Sequence, residues 1–226
     1  MRLALLLILP LVLLLVLLVI YSQLQISRVL TYPQLPSVSN STTLHIQQLD
    51  ATIKVEWGIL SDPQLLEPLA REIEEIFNKT PAAWLEENPG RVLRENLGRA
   101  AILEVIVTVT NNAQHGEIYV TGSPCTSSIK EAVMKIKEVK EARLTFADIL
   151  VRPIKGKVYG GPEICLAVLA IEPLSGGESA QNVFYYVILR PENGEPFEAE
   201  LSISIELCRS VFENCERHRL TVKVDW

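Results

Sequence analysis

The strongest candidates for chemistry lie near the C-terminus, in the sequence LCRSVFENCERHRL at positions 207–220. Cys208 and Cys215 stand seven residues apart, and His218 follows three residues after the second cysteine. Thiolate sulfur and imidazole nitrogen are ligands that zinc and copper accept in proteins. Cys215 and His218 are therefore candidate metal ligands, and the two cysteines are also candidates for a disulfide.

The rest of the sequence argues against the metal. Structural zinc sites place paired cysteines roughly two to four residues apart, closer than this pair. A blue-copper centre needs a second histidine, for which His45 and His115 are available, and usually a nearby methionine. Only one methionine, Met134, follows the first residue, and no C-x-x-C redox pair occurs. We therefore predict no metal and no cofactor.

Four cysteines, an even number, are typical of disulfides in an oxidising compartment. Residues 197–207 and 219–226 alternate apolar and polar side chains, which predicts two consecutive strands. Cys208 and Cys215 flank the connection, so a hairpin would bring their Cα atoms within the roughly 5.5 Å that a disulfide needs. Closing so short a loop contributes about 2.5 kcal/mol. By elimination, the second predicted disulfide joins Cys125 to Cys165.

Two serines precede a lysine in Ser127-Ser128-Ile129-Lys130, an S-x-x-K pattern found in some serine hydrolases. The chain lacks the companion S-D-N and K-T-G motifs and has no G-x-S-x-G. Both serines also stand where a helix is predicted to begin, with Ser128 and Glu131 at capping-box spacing. A structural role is favoured, no catalytic residue is predicted, and the sequence favours a protein that is not an enzyme.

An uncharged apolar run covers residues 3–20, with Arg2 before it and Tyr21 after it. Its length suits a membrane-spanning helix of about 20 residues. We predict that residues 1–21 are a transmembrane signal anchor and that residues 3–21 contact the membrane. A cleaved signal peptide is the alternative, although no A-x-A cleavage pattern follows. Either way the remaining chain is extracytoplasmic. With the anchor retained, we predict a single-pass protein of the cell membrane.

Residues 22–43 are rich in proline and serine and predict a stalk. Asn40-Ser41-Thr42 and Asn78-Lys79-Thr80 are acceptor sequences for glycosylation, which makes Asn40 and Asn78 candidate sites. Pro81 follows the second triplet and disfavours its modification.

Residues 44–226 predict one extracytoplasmic α+β domain, with helices in its first half and an antiparallel, sandwich-like β-sheet in its second half. The predicted helices begin at Asp62-Pro63, Thr80-Pro81, Arg91 and Ser128. Residues 101–110 and 117–122 are expected to pair as a hairpin. A sub-boundary is expected near residues 144–152, with residues 153–226 rich in strands.

The charge balance excludes one class of partner. Beyond the predicted span, 20 basic residues stand against 27 acidic ones, a net charge of −7, and no block of Lys and Arg occurs. Nucleic acid is therefore not predicted as a partner.

These patterns predict a non-catalytic binding or assembly module of an envelope or surface complex, with a protein partner or self-association. One alternative is an anchored extracytoplasmic hydrolase or a metal- or cofactor-handling protein. Another is a pilin-like filament subunit, which would need a processing site before the apolar run.

Overall fold

The computed structural model describes residues 34–226 apart from positions 85, 123–124, 139–146, 166–169 and 212. The predicted anchor (1–21) and the first part of the predicted stalk (22–33) lie outside the described residues. In the part of the chain that is described, no helix is both long and apolar enough to cross a membrane.

The first sheet has five antiparallel strands in the order β1-β2-β3-β10-β7. They are β1 (Val38–Ile46), β2 (Ala51–Leu60), β3 (Ala100–Asn111), β10 (Ser179–Leu189) and β7 (Lys157–Tyr159). The central strand β3 reads AAILEVIVTVTN, and nearly all of its side chains are buried. Such a mostly apolar run is typical of a strand that has neighbours on both edges and is covered on both faces.

Three α-helices lie in the described residues: α1 (Pro63–Phe77), α2 (Pro89–Glu95) and α3 (Ser128–Ile136). Helices α2 and α3 contact the first sheet, and α1 packs against both of them. As predicted, α1 begins after Asp62, whose Oδ1 accepts a hydrogen bond of 2.9 Å from the Gln64 backbone N–H. Its apolar stripe of Leu66, Leu69 and Ile73 is buried.

The shorter helical predictions were wrong at their ends. The segment after Thr80 is a 3-10 turn, Pro81–Trp84, instead of a helix reaching residue 87. The next helix begins at Pro89 and not at Arg91, because the Asn88 side chain accepts from the N–H groups of the first turn. Asn96, and not Gly98, follows its last residue.

The second sheet has the antiparallel order β12-β11-β4-β9, and β6 also pairs with β11. Its strands are β4 (Glu117–Gly122), β6 (Ala147–Lys155), β9 (Ala170–Ser175), β11 (Glu198–Ser210) and β12 (Glu213–Asp225). The short strands β5 (Cys125–Thr126) and β8 (Ile164–Cys165) pair separately.

One hydrophobic core joins the two sheets. Leu103 and Val105 of β3 belong to the same buried cluster as Leu201 and Ile203 of β11. The domain is therefore α+β, with helices early in the chain and antiparallel sheets that include a half-barrel, as the sequence predicted at that level. The strands are not confined to the second half, however, since β1 to β4 precede α3.

The hairpin predicted from residues 101–110 and 117–122 does not form. Strand β3 pairs with β2 and β10, whereas β4 pairs with β9 and β11 in the other sheet. Both edges of β3 are already occupied, so the intervening turn carries the chain from one sheet to the other.

Candidate functional site

A groove lies on the outer face of the second sheet. Along β11, Leu201 and Ile203 are buried in the core, while Glu200, Ser202 and Ser204 lie on the opposite face. This alternation follows from strand geometry, in which successive side chains point to opposite faces. The sequence ELSIS at positions 200–204 therefore gives one apolar and one polar surface to the same strand.

Strands β6 and β12 form the two walls of this groove, and β11 forms its floor. Each floor residue has a register partner on both walls: Glu200 lies between Arg152 and Lys223, Ser202 between Leu150 and Thr221, and Ser204 between Asp148 and Arg219. The space above them has a volume of about 410 Å³. We call it the outer groove.

The β12 wall of the outer groove is basic. Arg217, Arg219 and Lys223 share one face of this strand because they are separated by even numbers of residues. The β6 wall is mixed, with Arg152 and Asp148 on either side of Leu150. In a chain of net charge −6, the β12 wall is a local excess of positive charge, which favours an anionic group along β12.

Several polar groups of the outer groove have no partner in the described part of the chain. The Ser204 Oγ is buried there and makes no hydrogen bond. Arg152 and Arg219 make neither a hydrogen bond nor a salt bridge with any described residue. A buried polar atom without a partner is unfavourable, typically by about 1–3 kcal/mol. The groove thus holds a hydroxyl and two guanidinium groups that are available to a ligand.

At one end of the outer groove, Glu206 neutralises part of this charge. Its Oε1 accepts from Thr121 Oγ1 at 3.1 Å, and its Oε2 accepts from the Arg217 guanidinium at 3.4 Å. The long second distance leaves Arg217 only weakly bonded.

The predicted disulfide between Cys208 and Cys215 is present, with a Cα–Cα distance of 4.0 Å. The two cysteines are register partners in the β11–β12 hairpin, as the alternating sequence required. Among the described residues, the one group with metal-ligand geometry is Glu206, Cys208 and Cys215. Because both sulfurs are bonded to each other, neither is a thiolate, and this group cannot offer the soft ligands of a zinc or copper site.

The structure brings no histidine into that group. His218 alternates with Arg217 and Arg219, so it lies on the other face of β12, where its Nε2 is buried 3.8 Å from a Glu216 oxygen. His45 contacts Thr52 Oγ1 at 3.3 Å on the first sheet. His115 lies between β3 and β4, and the candidate metal site of Cys215 and His218 is not assembled in the described residues.

The second predicted disulfide has the backbone register that it needs. Cys125 of β5 is the register partner of Cys165 of β8. Cys125 is disulfide-bonded. The pairing with Cys165 stays a prediction.

The S-x-x-K residues begin α3 and have structural partners. The cap is Ser127, one residue earlier than predicted, and its Oγ accepts from the Lys130 N–H at 3.1 Å. Ser128 Oγ donates to Glu163 at 2.6 Å, and Lys130 Nζ donates to Asn182 Oδ1 at 2.9 Å. Burial lowers the pKa of Lys130 to about 8.

A lysine with such a pKa would suit general-base chemistry, but the space beside it is too small for a substrate. The cavity lined by Ser127 and Lys130 has a volume of about 10 Å³. That volume holds about one water molecule. The arrangement fixes the start of α3, and the described residues around it leave no room for a substrate.

The buried carboxyl of Glu104 was not predicted from the sequence. It lies in the middle of β3 and is fully buried. Its Oε1 accepts from the Leu35 N–H at 2.5 Å, and its Oε2 accepts from Ser37 Oγ at 2.6 Å. Tyr185 also bonds to it, and burial raises the pKa of Glu104. The sequence feature that indicates this buried carboxyl is a single acidic residue within the otherwise mostly apolar strand β3.

Both glycosylation candidates are exposed. Asn40 lies on the edge strand β1, where its Nδ2 donates to Ser39 Oγ at 3.0 Å. Asn78 follows the last residue of α1, and its Oδ1 accepts from Asn88 Nδ2 at 3.0 Å. Modification of either residue stays a prediction.

The comparisons with known proteins do not assign the chain to a family. No family model matches it, and no curated protein matches it. Among solved structures, a family 123 glycoside hydrolase from Clostridium perfringens is 11% identical, with a TM-score of 0.13. The alignment covers 55% of this chain and 21% of that one, so this chain spans about a fifth of the hydrolase. At this TM-score the likeness has no bearing on the fold or the function.

Proposed function

We propose that this protein is a membrane-anchored, extracytoplasmic binding module that holds a partner in the outer groove, as part of an envelope or surface complex. The observation that carries the proposal is the set of unpartnered groups there. A buried Ser204 hydroxyl lies in one groove with the guanidinium groups of Arg152 and Arg219, and none of the three has a partner among the described residues. An occupant with hydrogen-bond acceptors would satisfy all three at once.

Binding explains the outer groove better than catalysis does. No histidine or free thiol is among the described residues that line it, and Lys223 lies at the end of the β12 wall, opposite Glu200. The carboxylates of Asp148 and Glu200 also line the groove, but among the described residues neither accepts a hydrogen bond from Ser202 or Ser204. Neither hydroxyl therefore has a bonded base that would activate it as a nucleophile. Arginine, which stays protonated, serves recognition and charge neutralisation instead.

The membrane part of the proposal rests on the sequence. Residues 3–21 are apolar and long enough to anchor the chain. The predicted stalk of residues 22–43 follows, and its residues 38–43 form part of β1. The disulfide of the β11–β12 hairpin supports an oxidising location for the domain.

A site-specific crosslink tests the binding function. Photoreactive benzoylphenylalanine replaces Leu150, which is 56% exposed on the β6 wall. The full-length protein is crosslinked in the cells in which it is expressed. The control carries the same group at Leu65, which is 48% exposed on α1. We expect an adduct of defined mass from position 150 that is absent from position 65 and is lost when Arg219→Gln is added. Equal labelling at both positions, or adducts indifferent to Arg219, would contradict the proposal.

A further inference from the structure

We infer that the occupant of the outer groove is an extended acidic segment of a protein, whose carboxylates bind along β12. This inference rests on the proposed binding function and names the chemical class of the partner.

The spacing of cations along β12 matches the spacing of side chains on an extended peptide. Arg217 and Arg219 are two residues apart on one face of the strand, and each residue rises roughly 3.4 Å, so their Cα atoms are roughly 7 Å apart. An extended peptide repeats its side chains on one face at the same interval. A Glu-x-Glu segment lying alongside β12 therefore places one carboxylate at each arginine.

The chemistry of the groove favours a carboxylate next to Arg219. Guanidinium groups bind carboxylates through two parallel N–H···O bonds. Ser204, the register partner of Arg219, offers its unpartnered hydroxyl to the same group. Asp148 lies across the floor from Arg219 and repels an anion from the β6 wall. Near Arg219 the negative charge of the occupant is therefore directed to the β12 side, whereas Arg152, four residues from Asp148 on the β6 wall, attracts an anion at the other end of the groove.

Two features favour a protein segment over a glycan or a small metabolite. No aromatic side chain is present among the described residues that line the groove, so no ring is available for a sugar to stack upon. Pockets for small molecules are mostly apolar, whereas this groove is built from charged and hydroxyl side chains. The exposed Leu150 and Ile154 of β6 add apolar contact area beside the charges, which is the mixture typical of protein interfaces.

The test measures binding of defined probes to the full chain in detergent micelles by fluorescence anisotropy. The first probe is a labelled peptide of alternating Glu and Thr, and the second has the same composition with its Glu residues in one block. We expect tighter binding of the alternating peptide, weakening with added salt because the contacts are ionic. Arg219→Gln should weaken it about tenfold, the loss of one charge-assisted bond.

The matched control is Arg71→Gln, which removes an exposed arginine from α1 and should leave the affinity unchanged. Ser204→Ala tests the floor with a smaller change and should also weaken binding. The protein-segment inference is overturned if Arg219→Gln has no effect, if neither peptide binds, or if oligogalacturonate or inorganic phosphate competes better than the alternating peptide.

The two proposals fail in distinguishable ways. Site-specific crosslinking at Leu150 without binding of the alternating peptide would overturn the acidic-segment inference and leave the binding module standing. Absence of that crosslink would overturn the binding module itself.

Discussion

At the scale of single residues, Glu104 has the most demanding environment in the first sheet. Its carboxyl is buried in the centre of an apolar strand and is bonded to two groups of the preceding segment, Leu35 and Ser37. A buried carboxylate is tolerated only when hydrogen bonds replace its lost water. Glu104 therefore ties residues 34–37, which we call the docking segment, to the sheet.

Replacing Ser37 by alanine should destabilise the fold. The change removes the hydroxyl that donates to Glu104 and leaves one carboxylate oxygen without that bond, at a cost of roughly 1–3 kcal/mol. Ser39→Ala, at an exposed position of β1 two residues further along the chain, should change the free energy of unfolding little. Urea unfolding followed by tryptophan fluorescence measures both variants, and equal values for the two would contradict the role of Glu104.

The stability lost in Ser37→Ala should depend on pH, and the pKa of Glu104 determines the direction. Because burial raises the pKa of Glu104, the folded state holds this proton more tightly than the unfolded state. The stability from protonation is fully present below the ordinary pKa of 4.5 and is lost as the pH rises through the raised folded value. The Ser37 bond favours the ionised form, so Ser37→Ala should cost more at neutral pH than below pH 4.5.

Local residue patterns could be predicted where one short stretch contains the whole interaction. Asp62 and the Cys208–Cys215 pair were predicted from their immediate sequence. Neither Glu104 nor the outer groove could be found in this way. The groove exists because residues 147–155 pair with 198–205, and that pairing depends on the energy of the whole sheet.

At the scale of elements, the docking segment crosses β2 at Gly58. A Cβ at this position would overlap the carbonyl oxygen of Ser37. Glycine is needed here because the two backbones approach closely, a reason that the sequence of β2 alone does not reveal.

Gly58→Ala should therefore release the docking segment and destabilise the domain by roughly 1–3 kcal/mol, the usual cost of overpacking. Gly98→Ala is the matched control, because nothing lies within 4 Å of a Cβ there. Thermal unfolding compares the two variants, and limited proteolysis near residue 37 reports the released segment. A loss of stability in Gly98→Ala as large as in Gly58→Ala would refute this explanation.

The hairpin between β3 and β4 was predicted wrongly, and it shows why the partners of strands were harder to predict than the strands themselves. Residues 117–122 alternate apolar and polar side chains, and residues 101–110 form a mostly apolar run, and both patterns are typical of strands. A short turn separates the two segments. Yet β10, about seventy residues further along the chain, takes the edge of β3 that the hairpin would have used. Strand existence is encoded locally, whereas strand pairing is decided by competition across the chain.

At the scale of the whole molecule, the chain contributes strands to the two sheets in alternation, so neither sheet is formed by one continuous stretch of sequence. Strand β10 enters the first sheet after β4, β6 and β9 have entered the second. The helices precede most strands, which the sequence predicted, but a division into an early helical half and a late strand half does not describe the core. The apolar residues of both halves are buried together.

The proposed location gives a prediction for the complete protein. In intact cells, membrane-impermeant alkylation should find no free thiol on the folded chain, and non-reducing peptide mapping should link Cys208 to Cys215 and Cys125 to Cys165. Oxidising conditions outside the cytoplasm favour both bonds. Mapping after reduction controls for peptide recovery. Free thiols at Cys208 and Cys215 in the native protein would contradict the extracytoplasmic location.

The docking segment also has a mechanical consequence. A pull on the chain from residues 1–33 reaches Leu35 and Ser37 before it reaches β1, because the force follows the backbone. Their bonds lead to β3, which is paired along both edges, whereas β1 is an edge strand paired on one side in the described residues. Without the hydrogen bonds of Leu35 and Ser37 to Glu104, tension would separate β1 from β2 one hydrogen bond at a time. With them, the load passes first to the centre of the sheet, and the edge strand β1 is shielded from tension applied through residues 1–33.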